Sequence, residues 1–104
     1  MKTNQQAILD TLREILPGFR AQGIESLALF GSYATGNDGI YSDIDIAVKK
    51  SSDFLRHHSA YAYFATLNEL RTALQQRLGR PVDLFDLDSD STLKHQIESE
   101  LIHA

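Results

Sequence analysis

At 104 residues the chain has room for one hydrophobic core, since each half of a split chain would bury too little surface to stand alone. A formal net charge of −4 and a pI near 5.4 exclude a protein whose main task is gripping a phosphate backbone, which calls for a basic face. Cysteine is absent, which removes disulfides, thiolate metal sites and cysteine nucleophiles and leaves carboxylates and histidines, so any metal is expected to be a hard one.

No apolar stretch approaches the roughly 20 residues that span a bilayer, and the opening Met1-Lys2-Thr3-Asn4-Gln5-Gln6 lacks the apolar core of a secretory signal. The expected location is therefore cytoplasmic, with no membrane partner and no direct nucleic-acid partner. From Asn4 to Leu16, Ile8, Leu12 and Ile15 recur at helical spacing, and Pro17-Gly18 is expected to stop the helix. Phe19 to Gln22 allows a further turn before Gly23, after which Ser26-Leu27-Ala28-Leu29-Phe30 reads as a short buried strand.

Gly31-Ser32 follows that strand at once, Tyr33-Ala34-Thr35 suits a helical turn, and Gly36-Asn37-Asp38-Gly39 is dense in turn formers. In Ser42-Asp43-Ile44-Asp45-Ile46-Ala47-Val48 the alternation puts Ile44, Ile46 and Val48 on one face of a strand and Asp43 and Asp45 on the other. Lys49 to Asp53 is polar and reads as a loop. A long helix from about Ser59 carries Phe64, Leu67, Leu70, Leu74 and Leu78 as its packing side and closes at Gly79.

Pro81-Val82-Asp83-Leu84-Phe85 reads as a third strand, with Asp83 on the face opposite Val82 and Leu84. A last helix, capped by Asp90 or Ser91, would bury Leu93, Ile97 and Leu101. The order helix, strand, turn, strand, helix, strand, helix implies an α/β (α+β) domain over residues 1–104: a small mixed three-stranded sheet with helices packed mainly on one face.

Two carboxylates at i and i+2 of a strand lie about 7 Å apart at Cα, close enough for their oxygens to converge on one or two Mg²⁺ ions. Alone, Asp43-x-Asp45 has a plainer reading as the solvated face of a half-exposed strand. Gly31-Ser32 upstream adds the other half of a nucleoside-triphosphate site, because a glycine lets backbone approach a ligand and N–H groups opening a helical turn form a nest for phosphate. Ser32 can add its hydroxyl.

The run Leu29-Phe30-Gly31-Ser32-Tyr33-Ala34-Thr35-Gly36 followed by Ser42-Asp43-Ile44-Asp45-Ile46-Ala47-Val48 resembles the signature of polymerase-beta-like minimal nucleotidyltransferases. Ten residues separate Gly31-Ser32 from Asp43-x-Asp45, as in that family's G-S-x(10)-D-x-D pattern, and the strand, turn and strand context agrees. The resemblance implies a polymerase-beta-like fold, ATP as nucleotide donor and Mg²⁺ as cofactor. It further implies that Asp43, Asp45 and a third carboxylate on a later strand are the catalytic and metal-holding residues, while Gly31 and Ser32 hold the nucleotide's outer phosphates.

Within Arg80-Pro81-Val82-Asp83-Leu84, Asp83 matches the family's third carboxylate. Asp86 and Asp88 are alternatives, though Asp86 shares the parity of Val82 and Leu84 and both lie toward the strand's end. Asp83 would serve as metal ligand and as acceptor of the attacking hydroxyl's proton. One departure is Thr35, where the family usually has arginine; that cationic phosphate contact would fall to a lysine such as Lys49 or to a partner protein.

Chains of this size resemble MNT-type (MntA-like) antitoxins, which that resemblance pairs with a helical HEPN-domain toxin, inactivated by transfer of AMP to a tyrosine. The expectation is an Mg-dependent protein adenylyltransferase antitoxin in a hetero-oligomeric complex with such a toxin. Two alternatives remain open: an antitoxin acting only by contact, and a transferase for a small molecule, which would ordinarily need an added helical domain. His57, His58, His95 and His103 lack metal-site spacing and read as surface residues. Tyr33 and Tyr41 flank the motif, where stacking on adenine competes with plain packing.

Overall fold

The computed structural model describes residues 4–36, 43–51, 60–87 and 101–104. Its first helix, α1 (Gln5–Arg20), is capped by Asn4, whose side-chain oxygen accepts from Ala7 N–H at 2.8 Å, satisfying one of the donors that a helix start leaves without a partner. Ile8, Leu9, Leu12 and Leu16 form its buried stripe. Proline 17 does not stop the helix as expected, because α1 continues through it for three residues to Arg20. A proline inside a helix removes one backbone hydrogen bond, and Phe19, packed against the core, holds the added turn in place.

Strand β1 (Ile24–Phe30) leads into the one-turn helix α2 (Ser32–Thr35), and β2 (Ile44–Lys50) returns antiparallel to β1. Helix α3 (Ala60–Leu78) then connects β2 to β3 (Val82–Asp86), which lies parallel to β2. Strand β2 runs on through Lys49 and Lys50, which the sequence reading assigned to a loop.

Among the described residues the sheet has four strands, in the order β3-β2-β1-β4, rather than the expected three. The added strand β4 (Ile102–His103) pairs antiparallel with β1 through Ala28 and Leu29. Leu101, expected on the buried side of a terminal helix, directly precedes it. Ala104 N–H donates to Leu27 C=O at 3.0 Å and extends this pairing along β1. Asp90, Ser91, Leu93 and Ile97, the rest of that expected helix, lie outside the described residues, as do Tyr41, His57, His58, Asp88 and His95.

Alternation along the strands separates two faces. Ile44, Ile46, Val48, Leu27, Leu29 and Val82 join α1, α3 and Tyr33 in the main core. The opposite face carries Ala28 and Ala47, with Phe30, Phe85, Leu87 and Leu101 packed around them. Among the described residues the two long helices therefore cover one face, as the sequence implied. On α3 the buried stripe is Tyr63, Leu70, Leu74 and Leu78, with Leu67 partly buried.

Phe64, expected on that stripe, is instead 66% exposed. At about 100° per residue, position 64 lies roughly 120° around the helix from Leu70, whereas position 63 lies within about 20° of it. Arg77 of α3 and Glu14 of α1 form an ion pair, and the Gln75 side chain accepts from Val82 N–H at 3.1 Å. That contact ties the end of α3 to the start of β3.

Candidate active site

Three elements meet at one end of the sheet: the C-terminal end of β1 and the N-terminal ends of β2 and β3. Asp45 lies opposite Phe30 on one side and opposite Asp83 on the other. Paired residues on adjacent strands project from the same face, so Asp45 and Asp83 stand side by side at a strand spacing of about 4.8 Å. Asp43 lies just before β2 and is exposed, as is Asp83, while Asp45 is half-buried.

The electrostatics carry the signature of crowded negative charge. Burial holds the Asp45 carboxyl above its ordinary range, and the neighbouring carboxylates of Asp83 and then Asp43 push it further the same way. Among the described residues no three acid or histidine side chains are already gathered into a metal site. Asp43 and Asp83 are both exposed and so able to change rotamer toward Asp45 without repacking the core.

Gly31 is built for this place. Its φ of 76° and ψ of −151° fall where essentially only glycine is found. A Cβ at Gly31 would sit 2.4 Å from Asp45 Oδ2 and 3.1 Å from its Cγ, so the absent side chain makes room for the carboxylate itself. The same residue opens α2, where its carbonyl accepts from Ala34 N–H and Thr35 N–H at 3.1 Å each. By helix geometry the N–H groups of Ser32 and Tyr33 then have no partner within the turn. They stand at the end of β1 beside Asp45.

Residues 11–103 match the family described as polymerase beta nucleotidyltransferases. The chain belongs to that family. A Methanocaldococcus jannaschii protein named "Putative protein adenylyltransferase" is 38% identical over 82 residues, spanning 77% of this chain and 76% of the relative. A structure described as a "putative minimal nucleotidyltransferase" superposes with a TM-score of 0.74 over 96% of this chain and 95% of its own, at 22% identity; that likeness concerns the fold. A chain from a tri-AMPylated Shewanella oneidensis HEPN toxin in complex with MNT antitoxin aligns at 28% identity with a TM-score of 0.56, covering 95% of this chain and 70% of that one.

In this nucleotidyltransferase other expectations fall out differently. Thr35 turns its hydroxyl back onto α2, donating to Gly31 C=O at 3.1 Å and Ser32 C=O at 3.4 Å. Lys49 lies four residues further along β2 from Asp45 and pairs with Glu25 at 3.5 Å. Asp86, the alternative to Asp83, pairs with Lys50 at 3.2 Å toward the far end of β2 and β3. Lys50 also lies 5.1 Å from the centre of the Tyr63 ring.

Tyr33 is 3% exposed and packs in the core, which settles its role as packing rather than stacking on a base. His103 is exposed on β4. The sequence reading missed Gln5, whose side-chain amide donates to Tyr33 C=O at 3.3 Å and Ala34 C=O at 3.1 Å. No local pattern announces a contact between residues separated by 28 and 29 positions.

Proposed function

We propose that this chain is the antitoxin of a toxin–antitoxin pair and transfers AMP from ATP to a hydroxyl, of tyrosine in our reading, on a HEPN-domain partner. The observation that carries the proposal is the register pairing Asp45 with Asp83, with Gly31 packed against the Asp45 carboxylate. Family membership supports the transferase chemistry, and the likeness to the Methanocaldococcus protein and the Shewanella complex supports a protein acceptor.

In the transfer, the acceptor oxygen forms a bond to the α-phosphorus of ATP while the bond from that phosphorus to the bridging oxygen breaks, and pyrophosphate leaves. Asp83, exposed beside Asp45, accepts the hydroxyl proton as the new bond forms. Ser32 and the N–H groups at the start of α2 orient the outer phosphates, where negative charge gathers on the leaving group. Asp43 and Asp45 supply oxygen donors of the kind a hard divalent cation takes.

The crowding that lifts the Asp45 carboxyl is what a cation between these side chains would relieve, so the donor set fits magnesium, held by Asp43, Asp45 and Asp83. When bound, Mg²⁺ neutralises charge on the attacking and leaving oxygens. Nothing in this reading requires nucleic acid or a membrane; among the described residues no helix is long and apolar enough to cross one.

The test is intact-mass analysis of a HEPN-domain partner encoded in the same genome, after incubation with this protein, ATP and Mg²⁺, with the double substitution Asp43→Ala/Asp45→Ala as control. A gain of one or more AMP units that the control abolishes is expected. A stable complex without mass gain would instead mean an antitoxin acting by contact, the reading that Thr35 in place of the family arginine favours. Neither gain nor complex would point to a small-molecule acceptor.

A further inference from the structure

From the contacts of Gln5 we infer that it is a positioning residue: its side-chain amide clamps the one-turn helix α2 so that the backbone N–H groups of Ser32 and Tyr33 stay aimed at the outer phosphates of a nucleoside triphosphate. The inference rests on the phosphate-holding role proposed above for Gly31 and Ser32.

Helix α2 has four residues, too few to hold its shape unaided, because a single turn fixes several backbone torsions for very few internal hydrogen bonds. Four successive carbonyls, from Gly31 to Ala34, are nevertheless engaged. Gly31 C=O accepts from Ala34 N–H and Thr35 N–H, and Ser32 C=O accepts from Gly36 N–H and the Thr35 hydroxyl. Tyr33 C=O and Ala34 C=O accept from the Gln5 amide at 3.3 and 3.1 Å. Both partners are carbonyl oxygens, so the nitrogen of the amide must face them.

Gln5 is well placed to act as a fixed point. It is the first residue of α1, held by the Asn4 cap directly before it, and three residues later Ile8 is fully buried in the core. A second anchor comes from within α2, as the Tyr33 ring is buried and Ala34 packs against the same core. The buried ring fixes where the turn sits, and the Gln5 amide fixes how it is rotated. Rotation matters here because the aim of two backbone N–H vectors, and the closeness of Gly31 to Asp45, both follow from it.

The test uses the whole chain and compares two ligands by calorimetry in the presence of Mg²⁺: a β,γ-imido analogue of ATP, and AMP, which lacks the outer phosphates. Gln5→Ala should weaken the triphosphate analogue about fivefold, the equivalent of one neutral hydrogen bond of about 1 kcal/mol, while AMP binding stays within about twofold. Gln5→Glu, which turns acceptor oxygens toward two carbonyls, should weaken the analogue more than Gln5→Ala. Gln5→Lys, which restores donors, should recover most of the loss.

Equal weakening of both nucleotides, or of neither, would overturn the role of Gln5, and a fall in melting temperature without a change in the ratio of the two affinities would leave it merely structural. If the unsubstituted chain binds the triphosphate analogue no better than AMP, the outer-phosphate role of Gly31 and Ser32 fails, and this inference falls with it. If Gly31→Ala lowers that ratio and Gln5→Ala does not, only the inference about Gln5 is wrong.

Discussion

Asp45 is where position and charge conflict most. Its carboxyl is held above the ordinary range by burial, then by Asp83 and Asp43, so the folded chain binds that proton more tightly than the unfolded chain does. With the unfolded value about 4, the folded state is favoured below that pH and loses stability as pH rises through the raised value. Asp45→Asn removes this dependence. Its melting temperature should exceed that of the unsubstituted chain at neutral pH and the difference should shrink toward about pH 4, as thermal unfolding across pH will show, while transferase activity falls by roughly 10²-fold or more.

Gly31→Ala places a Cβ within 2.4 Å of Asp45 Oδ2 at a φ of 76°; strain of this kind costs about 1–3 kcal/mol, measurable by denaturant titration. Part of that loss is steric and part is backbone. The double substitution Gly31→Ala/Asp45→Ala should therefore be less destabilised than the sum of the singles, and strict additivity would mean that the Gly31–Asp45 contact carries no energy.

At the level of elements, the contrast between Leu70 and Phe64 on α3 separates packing from exposure. Leu70 is fully buried and Phe64 is 66% exposed, so Leu70→Ala should cost about 2–5 kcal/mol and Phe64→Ala within about 0.5 kcal/mol, both read from chemical denaturation of the isolated chain. The alternation of Asp43, Ile44, Asp45 and Ile46 announced the strand and the face of each carboxylate, because a period of two is local information. So did the parity that set Asp83 apart from Asp86.

What stayed hidden in the sequence is non-local. Nothing near Ile102 says that it will meet Leu29 across a sheet edge, and nothing near Gln5 says that its amide will reach α2. Phe64 misled for a different reason: several apolar residues fit a helical period loosely, and only the packed partners of Tyr63 and Leu70 decide which arc faces inward. Pro17 likewise lay inside a helix that tertiary contact through Phe19 sustains.

Across the whole molecule, the antiparallel β1–β2 pair and the parallel β2–β3 pair bring three distant sequence segments to one end of the sheet. Residues gathered there repel one another, and a ligand that binds only the folded state stabilises it by mass action, about 2.7 kcal/mol at a concentration one hundred times its Kd. Mg²⁺ together with ATP should raise the melting temperature, and the rise should vanish in Asp43→Ala/Asp45→Ala; an equal rise in that variant would place binding elsewhere.

Nucleotidyl transfer by Asp43, Asp45 and Asp83 is tested by following the label from ATP carrying ³²P in either the α or the γ position into a HEPN-domain partner. Transfer of AMP puts α-label into the partner and releases γ-label as pyrophosphate, and Asp83→Asn and Asp43→Ala/Asp45→Ala are each expected to abolish incorporation. Incorporation of γ-label, or of α-label undiminished by these substitutions, would contradict it.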